Sequence, residues 1–474
     1  MVFNSVIFLV FFILFIQFYW LLNNKFHFKY RNLYTIVASY IFYGWWDWRF
    51  LSLIVISSGI DYFLGKKIYN ESRVSIRKTL VTISLLSNLG ILGFFKYFNF
   101  FIDSFNQILS LFSLSVNVST LSIILPVGIS FYTFQTLSYT IDIYRGKLNP
   151  SKDIISFFAF VSFFPQLVAG PIERASNLLS QFSEKKTFNS GNNIEGLRLI
   201  LWGMFKKVVI ADNFGVMVEP IFNTETNING LTILLGGTLF AFQVYADFSG
   251  YSDIAIGIAR MLGFRLKKNF ATPYFSKSFE EFWRRWHISL STWFRDYVYI
   301  PLGGSRGSVF RVDVNLFLTF TLSGLWHGAG INFVLWGALH GVVIVIEKHF
   351  VKNINKFIYW PIFFTGFVIL LVIFRGHNIW HIIDLMNAIF NPFSYSLSST
   401  MNVFTDFSIQ KSMMLLLVFI SFMIVEYKLK FDDFSEWVGR KSKWVRYAFY
   451  YSIVLLIMFV GNFTVKPSFI YFQF

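Results

Sequence analysis

The chain has 474 residues, of which 55% are hydrophobic and 14% charged, whereas soluble domains carry about 25% charged residues. The shortfall runs along the whole length and excludes an ordinary soluble protein. The absence of cysteine excludes disulfides, thiolate metal sites and a cysteinyl acyl-enzyme. The net charge of +16 sits in short loops between apolar runs, which fits the positive-inside rule, and no motif points to nucleic acid as a partner.

A membrane span needs about 20 mostly apolar residues, and such runs recur from end to end. Residues 5–22 form the first. They carry no preceding basic region and no small-residue cleavage site, so they read as a retained helix. Lys25, Lys29 and Arg31 then predict a cytoplasmic loop and an outside N-terminus. The stretch 33–64 leads to a second basic loop with Lys66, Lys67, Arg73, Arg77 and Lys78, so it is predicted to cross twice. Its turn falls at 44–48, where Gly-Trp-Trp-Asp-Trp places aromatics at an interface.

Further runs lie at 79–97, 101–115, 121–144, 153–171, 195–217, 229–248, 251–263, 313–330, 331–350, 359–375, 412–427 and 445–462. They predict an all-α polytopic membrane protein of about 10–13 membrane helices, some short or re-entrant. The whole of residues 1–474 reads as one membrane-embedded domain. Residues 173–195 read as a loop. Residues 377–411, with His377 and His381, read as a loop or surface element on the extracytoplasmic side, because Lys and Arg are nearly absent. No internal repeat is present.

The segment 279–299 differs from the spans around it. Glu280, Glu281, Arg284, Arg285, Arg295 and Asp296 alternate with Phe282, Trp283, Trp286 and Trp293, without Gly or Pro. This predicts an amphipathic helix at the interface or beside a polar cavity, with Trp283 and His287 on one face. An interfacial belt of Trp and Arg anchors would give the same pattern. From 260 to 311 there are ten Lys or Arg and three Asp or Glu. That imbalance predicts a cytoplasmic loop, and it also suits coenzyme A phosphates or an acidic acyl-carrier protein.

His327 stands forty residues after His287, within SGLWHGAG, in an otherwise apolar run. Polar groups at membrane depth are costly and mark function. A lone helical histidine is commonly a hydrogen-bonded core residue, but Gly324, Gly328, Ala329 and Gly330 let a backbone or a substrate come close. Neutral imidazole is suited to take a hydroxyl proton near pH 7. His340 reads as structural. Three other runs, 125–135, 164–174 and 245–253, combine Gly, Pro and polar groups and predict broken helices around a polar interior that would hold Asp247 and Asp253. Loop carboxylates at the membrane surface would read the same way. No P-loop, G-x-G-x-x-G, H-E-x-x-H or G-x-S-x-G occurs, and no metal or bound cofactor is expected.

The runs SFYTFQTLSYTIDIYRG, FFPQLVAGPIER, YADFSGYSDIAIGIARMLGF, FWRRWHISLSTWFRDYVYIPLGGSRG and SGLWHGAGINFVLWGALHG follow one another between residues 123 and 350. In this order they resemble the membrane-bound O-acyltransferase superfamily, and within it the bacterial alginate O-acetyltransferase branch. The resemblance implies that His327 is the general base and His287 a second functional polar position. It implies membrane helices ringed around a central tunnel, with the donor entering from the cytoplasm and the acceptor from outside. The donor would be acetyl-CoA or another acyl thioester, and the acceptor hydroxyls of an extracytoplasmic polysaccharide. A secreted or periplasmic esterase-like acetyltransferase would be a partner, and the bacterial inner membrane with its lipids the location. Residues 299–306 look like the polysaccharide-acetylating branch rather than the teichoic-acid D-alanylating one, and peptidoglycan-acetylating members share much of the pattern.

Acyl transfer also needs a group to stabilise the oxyanion, for which His287, an indole N–H or a backbone amide qualifies. Two histidines serving one reaction are expected within about 10 Å of each other. A transporter of polysaccharide or lipid intermediates would instead show inverted repeats and charged midplane pairs. A scaffold for a secreted acetyltransferase would make the histidines dispensable.

Overall fold

The computed structural model describes the chain except residues 113–117, 224–228, 352–353, 404–407, 464–468 and 471–474. Parts of the predicted run 101–115 and of the stretch 377–411 therefore lie outside the described residues. Among the described residues the secondary structure is helical throughout, with no strand. Seven segments of the described residues are long and apolar enough to cross a membrane: Val6–Lys25, Val74–Ser110, Gly230–Met261, Ile331–Phe350, Ile358–Arg375, Ile409–Leu429 and Lys443–Val460. The chain is an all-α, multi-pass membrane protein. It divides into two compact units, one of Met1–Gly196 with Ala255–Lys267, the other of Leu197–Ile254 with Lys268–Phe474.

In the first unit the stretch predicted to cross twice forms a helical pair, Phe28–Asp47 and Leu51–Asn70, joined by the short turn Trp48–Phe50, and neither helix is among the seven apolar segments. Asp47 makes the turn by accepting from the Arg49 N–H at 3.0 Å. Membrane helices lack a hydrophobic drive toward one another, so polar contacts and small residues hold them. Here buried Asp61 accepts from Ser84 at 2.6 Å and from Asn88 at 2.8 Å. Gly128 breaks the chain before the helix Ile129–Tyr144, as its Pro-Gly run predicts. Its φ is +76°, and a Cβ would lie 2.8 Å from the Leu167 carbonyl oxygen. The stretch 173–195 is less of a loop than predicted. Ala175–Phe182 is a helix, and Ser190–Met204 begins inside it. Fully buried Arg31 ties this stretch down by donating to the carbonyls of Phe182 and Glu184.

In the second unit the break predicted between 248 and 251 is absent, because Gly230–Met261 is one helix. Gly250 serves close packing instead of a turn: a Cβ there would lie 2.8 Å from the Gly203 carbonyl oxygen. Asp247 and Asp253 therefore sit within a helix. Asp253 pairs with Lys206 at 2.6 Å, and Asp247 with Lys207 at 2.6 Å. The surface stretch after residue 377 contains the helices Ile379–Phe390 and Leu397–Val403.

The helices Val309–His327 and Ile331–Phe350 form a tight hairpin. A Cβ on Gly324 would lie 2.2 Å from the Phe333 carbonyl oxygen, and one on Gly337 would lie 2.4 Å from that of Phe320. Only glycine fits along this seam. It places the last residue of the first helix, His327, beside the opening turns of the second.

Candidate active site

The segment 279–299 is not the single helix its pattern predicts. It forms Phe279–Arg285, then Ile288–Phe294, then a π-helical turn at Arg295–Tyr299. The break is at His287, whose φ of 42° and ψ of 53° place a non-glycine residue in the left-handed region. Such strain costs on the order of 1–3 kcal/mol and persists where the surroundings impose it. The surroundings are residues 269–271. The Ala271 N–H donates to the Arg285 carbonyl at 2.9 Å, and the Ile288 N–H donates to the Asn269 carbonyl at 2.9 Å. Trp283 and His287 consequently do not share a helical face.

Asn269 also sets the chemistry of the His287 ring. Its side-chain oxygen accepts from Ser289 N–H at 3.3 Å and from Ser289 Oγ at 2.9 Å, and it faces His287 Nδ1 at 3.1 Å. A backbone N–H only donates, so the atom it faces is the amide oxygen and not the nitrogen. His287 Nδ1 must then carry the hydrogen, which leaves a lone pair on Nε2. Burial, reinforced by the neighbouring His327 imidazole, holds the His287 pKa well below the ordinary histidine value, so the ring is neutral at pH 7.

The two histidines predicted to converge do so. Their ring centroids are 6.5 Å apart, with the planes inclined at 68°. Phe248 stands edge-on to His287 at 4.7 Å, and Trp336 stands edge-on to His327 at 5.2 Å. His327 lines a cavity walled by Phe248, Phe282, Trp286, Trp336 and Phe374. Apart from His327 and the two indoles, this lining is hydrocarbon, which suits a short acyl chain and excludes water from the reacting centre.

The remaining predicted residues separate by environment. His340 accepts from the Trp283 indole N–H at 3.3 Å and does not line the cavity, in keeping with a structural role. His377 and His381 stack on each other at 5.0 Å in the surface stretch. Glu347 accepts from the N–H groups of Phe279 and Glu280 and so caps the helix that leads to His287. Asn269, Glu347 and Trp336 are parts of the site that sequence reasoning missed. Asn269 and Glu347 act on residues eighteen or more positions away, and Trp336 reads as one aromatic among many.

With this geometry in view, the comparisons with known proteins are specific. The model of the membrane-bound O-acyltransferase family matches residues 147–386, just over half of the chain. The chain is 42% identical to a protein named probable alginate O-acetylase in Pseudomonas aeruginosa, over 81% of this chain and 75% of that one. It is 36% identical to a peptidoglycan O-acetyltransferase of Helicobacter pylori, over 73% and 71% of the two chains. It is 29% identical to a teichoic acid D-alanyltransferase of Streptococcus thermophilus, over 54% and 66%. The chain belongs to the membrane-bound O-acyltransferase family and is an integral membrane O-acyltransferase.

Proposed function

We propose that this protein moves an acetyl group from a cytoplasmic thioester, acetyl-CoA or a related donor, to a hydroxyl of an extracytoplasmic polysaccharide. The observation that carries this is the pair of imidazoles 6.5 Å apart between ring centroids, with His327 in the wall of an apolar cavity. The relatives named for alginate and peptidoglycan acetylation support an acetyl group and a polysaccharide, alginate-like in the first case. The membrane would be the bacterial inner membrane.

His327 takes the acceptor hydroxyl proton as the oxygen attacks the thioester carbonyl. The tetrahedral intermediate then collapses, the C–S bond breaks, and the proton passes from His327 to the departing thiolate. His287 cannot donate to the oxyanion while neutral, because its one ring hydrogen is held by Asn269. Held neutral at 6.5 Å between ring centroids, it adds no competing positive charge to the imidazolium that forms on His327. The oxyanion donor is the Trp336 indole N–H, which is buried in the cavity wall with no hydrogen-bond acceptor among the described residues. Trp336→Phe keeps the ring but removes that hydrogen. It is expected to lower kcat about 10²-fold, the effect of losing one oxyanion donor, with KM for the donor unchanged. A kcat within twofold of wild type would remove Trp336 from the mechanism.

The donor would approach where Lys277, Arg284 and Arg285 line a cavity together with Glu280 and Glu281, leaving one positive charge in excess. Both the phosphate-bearing donor and the positive-inside rule require this face to be cytoplasmic. The native chain lacks cysteine, so Ser305→Cys gives a clean topological probe. Labelling by an impermeant maleimide is expected from the cytoplasmic side only, and labelling only from outside would overturn the orientation. The reaction itself is tested with vesicles loaded with radiolabelled acetyl-CoA. Acetyl ester should appear on polysaccharide outside, whereas a transporter would move polysaccharide without ester formation.

A further inference from the structure

A second cavity in the same unit has a half-polar lining and belongs to none of the chemistry above. It is lined by Lys207, Asp212, Glu219, Gln243, Asp247 and Arg375. Two of its lining residues carry unlike polar groups that lack partners. The Gln243 side-chain oxygen and the Arg375 Nε are buried, and neither has a hydrogen-bond partner among the described residues. One needs a donor and the other an acceptor. Lys207 is already engaged, by Asp247 at 2.6 Å and by Asp212 at 2.9 Å. Three carboxylates against two cations leave the lining one negative charge in excess, which disfavours a ligand carboxylate. Hydroxyl groups both donate and accept, so they serve the two orphan groups without added charge.

The two cavities occupy adjacent faces of the same helices. On Gly230–Met261, Phe240, Gln243 and Asp247 line the polar one, and Val244 and Phe248 the apolar one. On Ile358–Arg375, Arg375 lines the polar cavity, and Phe367, Leu371 and Phe374 the apolar one. Ile470 lines both. Its N–H donates to Asp247 at 2.7 Å, and the preceding Phe469 packs on Phe248 and Tyr251 at ring distances of 5.5 and 4.9 Å. The helix that ends at Arg375 begins beside Lys348, Lys352 and Lys356. By the positive-inside rule its Arg375 end faces outside.

We propose that the polar cavity is the acceptor subsite, reading sugar hydroxyls rather than carboxylates, and that Ile470 is the partition an acceptor hydroxyl passes to reach His327. This rests on the acyl-transfer reading, but its test does not need turnover. In otherwise cysteine-free full-length chain in vesicles, Val216→Cys places a thiol in the polar cavity. An impermeant maleimide added outside should label it, and millimolar neutral manno-oligosaccharide should slow labelling several-fold. Gln243→Leu should abolish that protection, and His327→Ala should retain it. No protection, protection by mannuronate oligomers alone, or labelling only from the cytoplasmic side overturns the subsite.

The partition is read separately with Leu371→Cys in the apolar cavity. Ile470→Ala should raise its labelling rate about tenfold, as when a site that waits on a local opening becomes permanently open. Ile470→Trp should lower it. Equal rates in all three backgrounds overturn the partition. Intact protection combined with failed acetyl transfer by the wild-type chain would count against the acyl-transfer reading alone.

Discussion

His327→Ala is expected to lower acyl transfer by ~10²–10⁴-fold, the range for removing a positioned acid–base group, with the amount of protein in the membrane unchanged. The size of the effect follows from the surroundings. The cavity beside His327 offers indoles and hydrocarbon, so no other side chain of its lining can accept a proton when the imidazole is gone. The fold should tolerate the change, because the hairpin that carries His327 is held by the backbone seam at Gly324 and Gly337. Turnover measured with radiolabelled donor, against protein level by quantitative blot, decides the matter. A variant that acetylates near the wild-type rate would make this chain a scaffold.

The second large effect concerns His287. Its alanine variant is expected to lose turnover on a scale similar to the first, and the double variant to be scarcely worse than His327→Ala alone. Groups that act as a unit are non-additive, and here the unit is visible as two imidazoles 6.5 Å apart. His287→Ala also leaves the Asn269 oxygen with only its Ser289 partners. His287→Gln serves as a control for lost packing, since it fills space without an imidazole lone pair. Multiplicative effects in the double variant would show that the two histidines work independently.

The histidines were legible because a polar side chain in an apolar run is costly and stands out, and their convergence followed from that cost. The glycines of SGLWHGAG likewise announced a close approach, which the hairpin seam makes. Other features were hidden for one common reason. Helical periodicity is local, while the forces that override it come from distant residues. Nothing between 279 and 299 signals a break, since the pull comes from Asn269. Gly250 looked like a helix breaker because its partner, Gly203, lies far away in sequence. Lys206 and Lys207 stand unexplained inside the apolar run 195–217 until Asp253 and Asp247 are found against them.

The two sides of the site are built from different materials. His327 and His287 are placed by main-chain geometry, namely a glycine seam and a left-handed residue paired to a neighbouring segment. Part of the cavity wall, Phe367, Leu371 and Phe374, projects instead from a helix that carries neither histidine. On the proposed mechanism, mutations that resize that part of the wall would leave the proton-transfer geometry in place. Donor chain length and catalytic competence can thus vary independently over evolution. A laboratory search for variants that accept longer acyl groups should begin on that one helix.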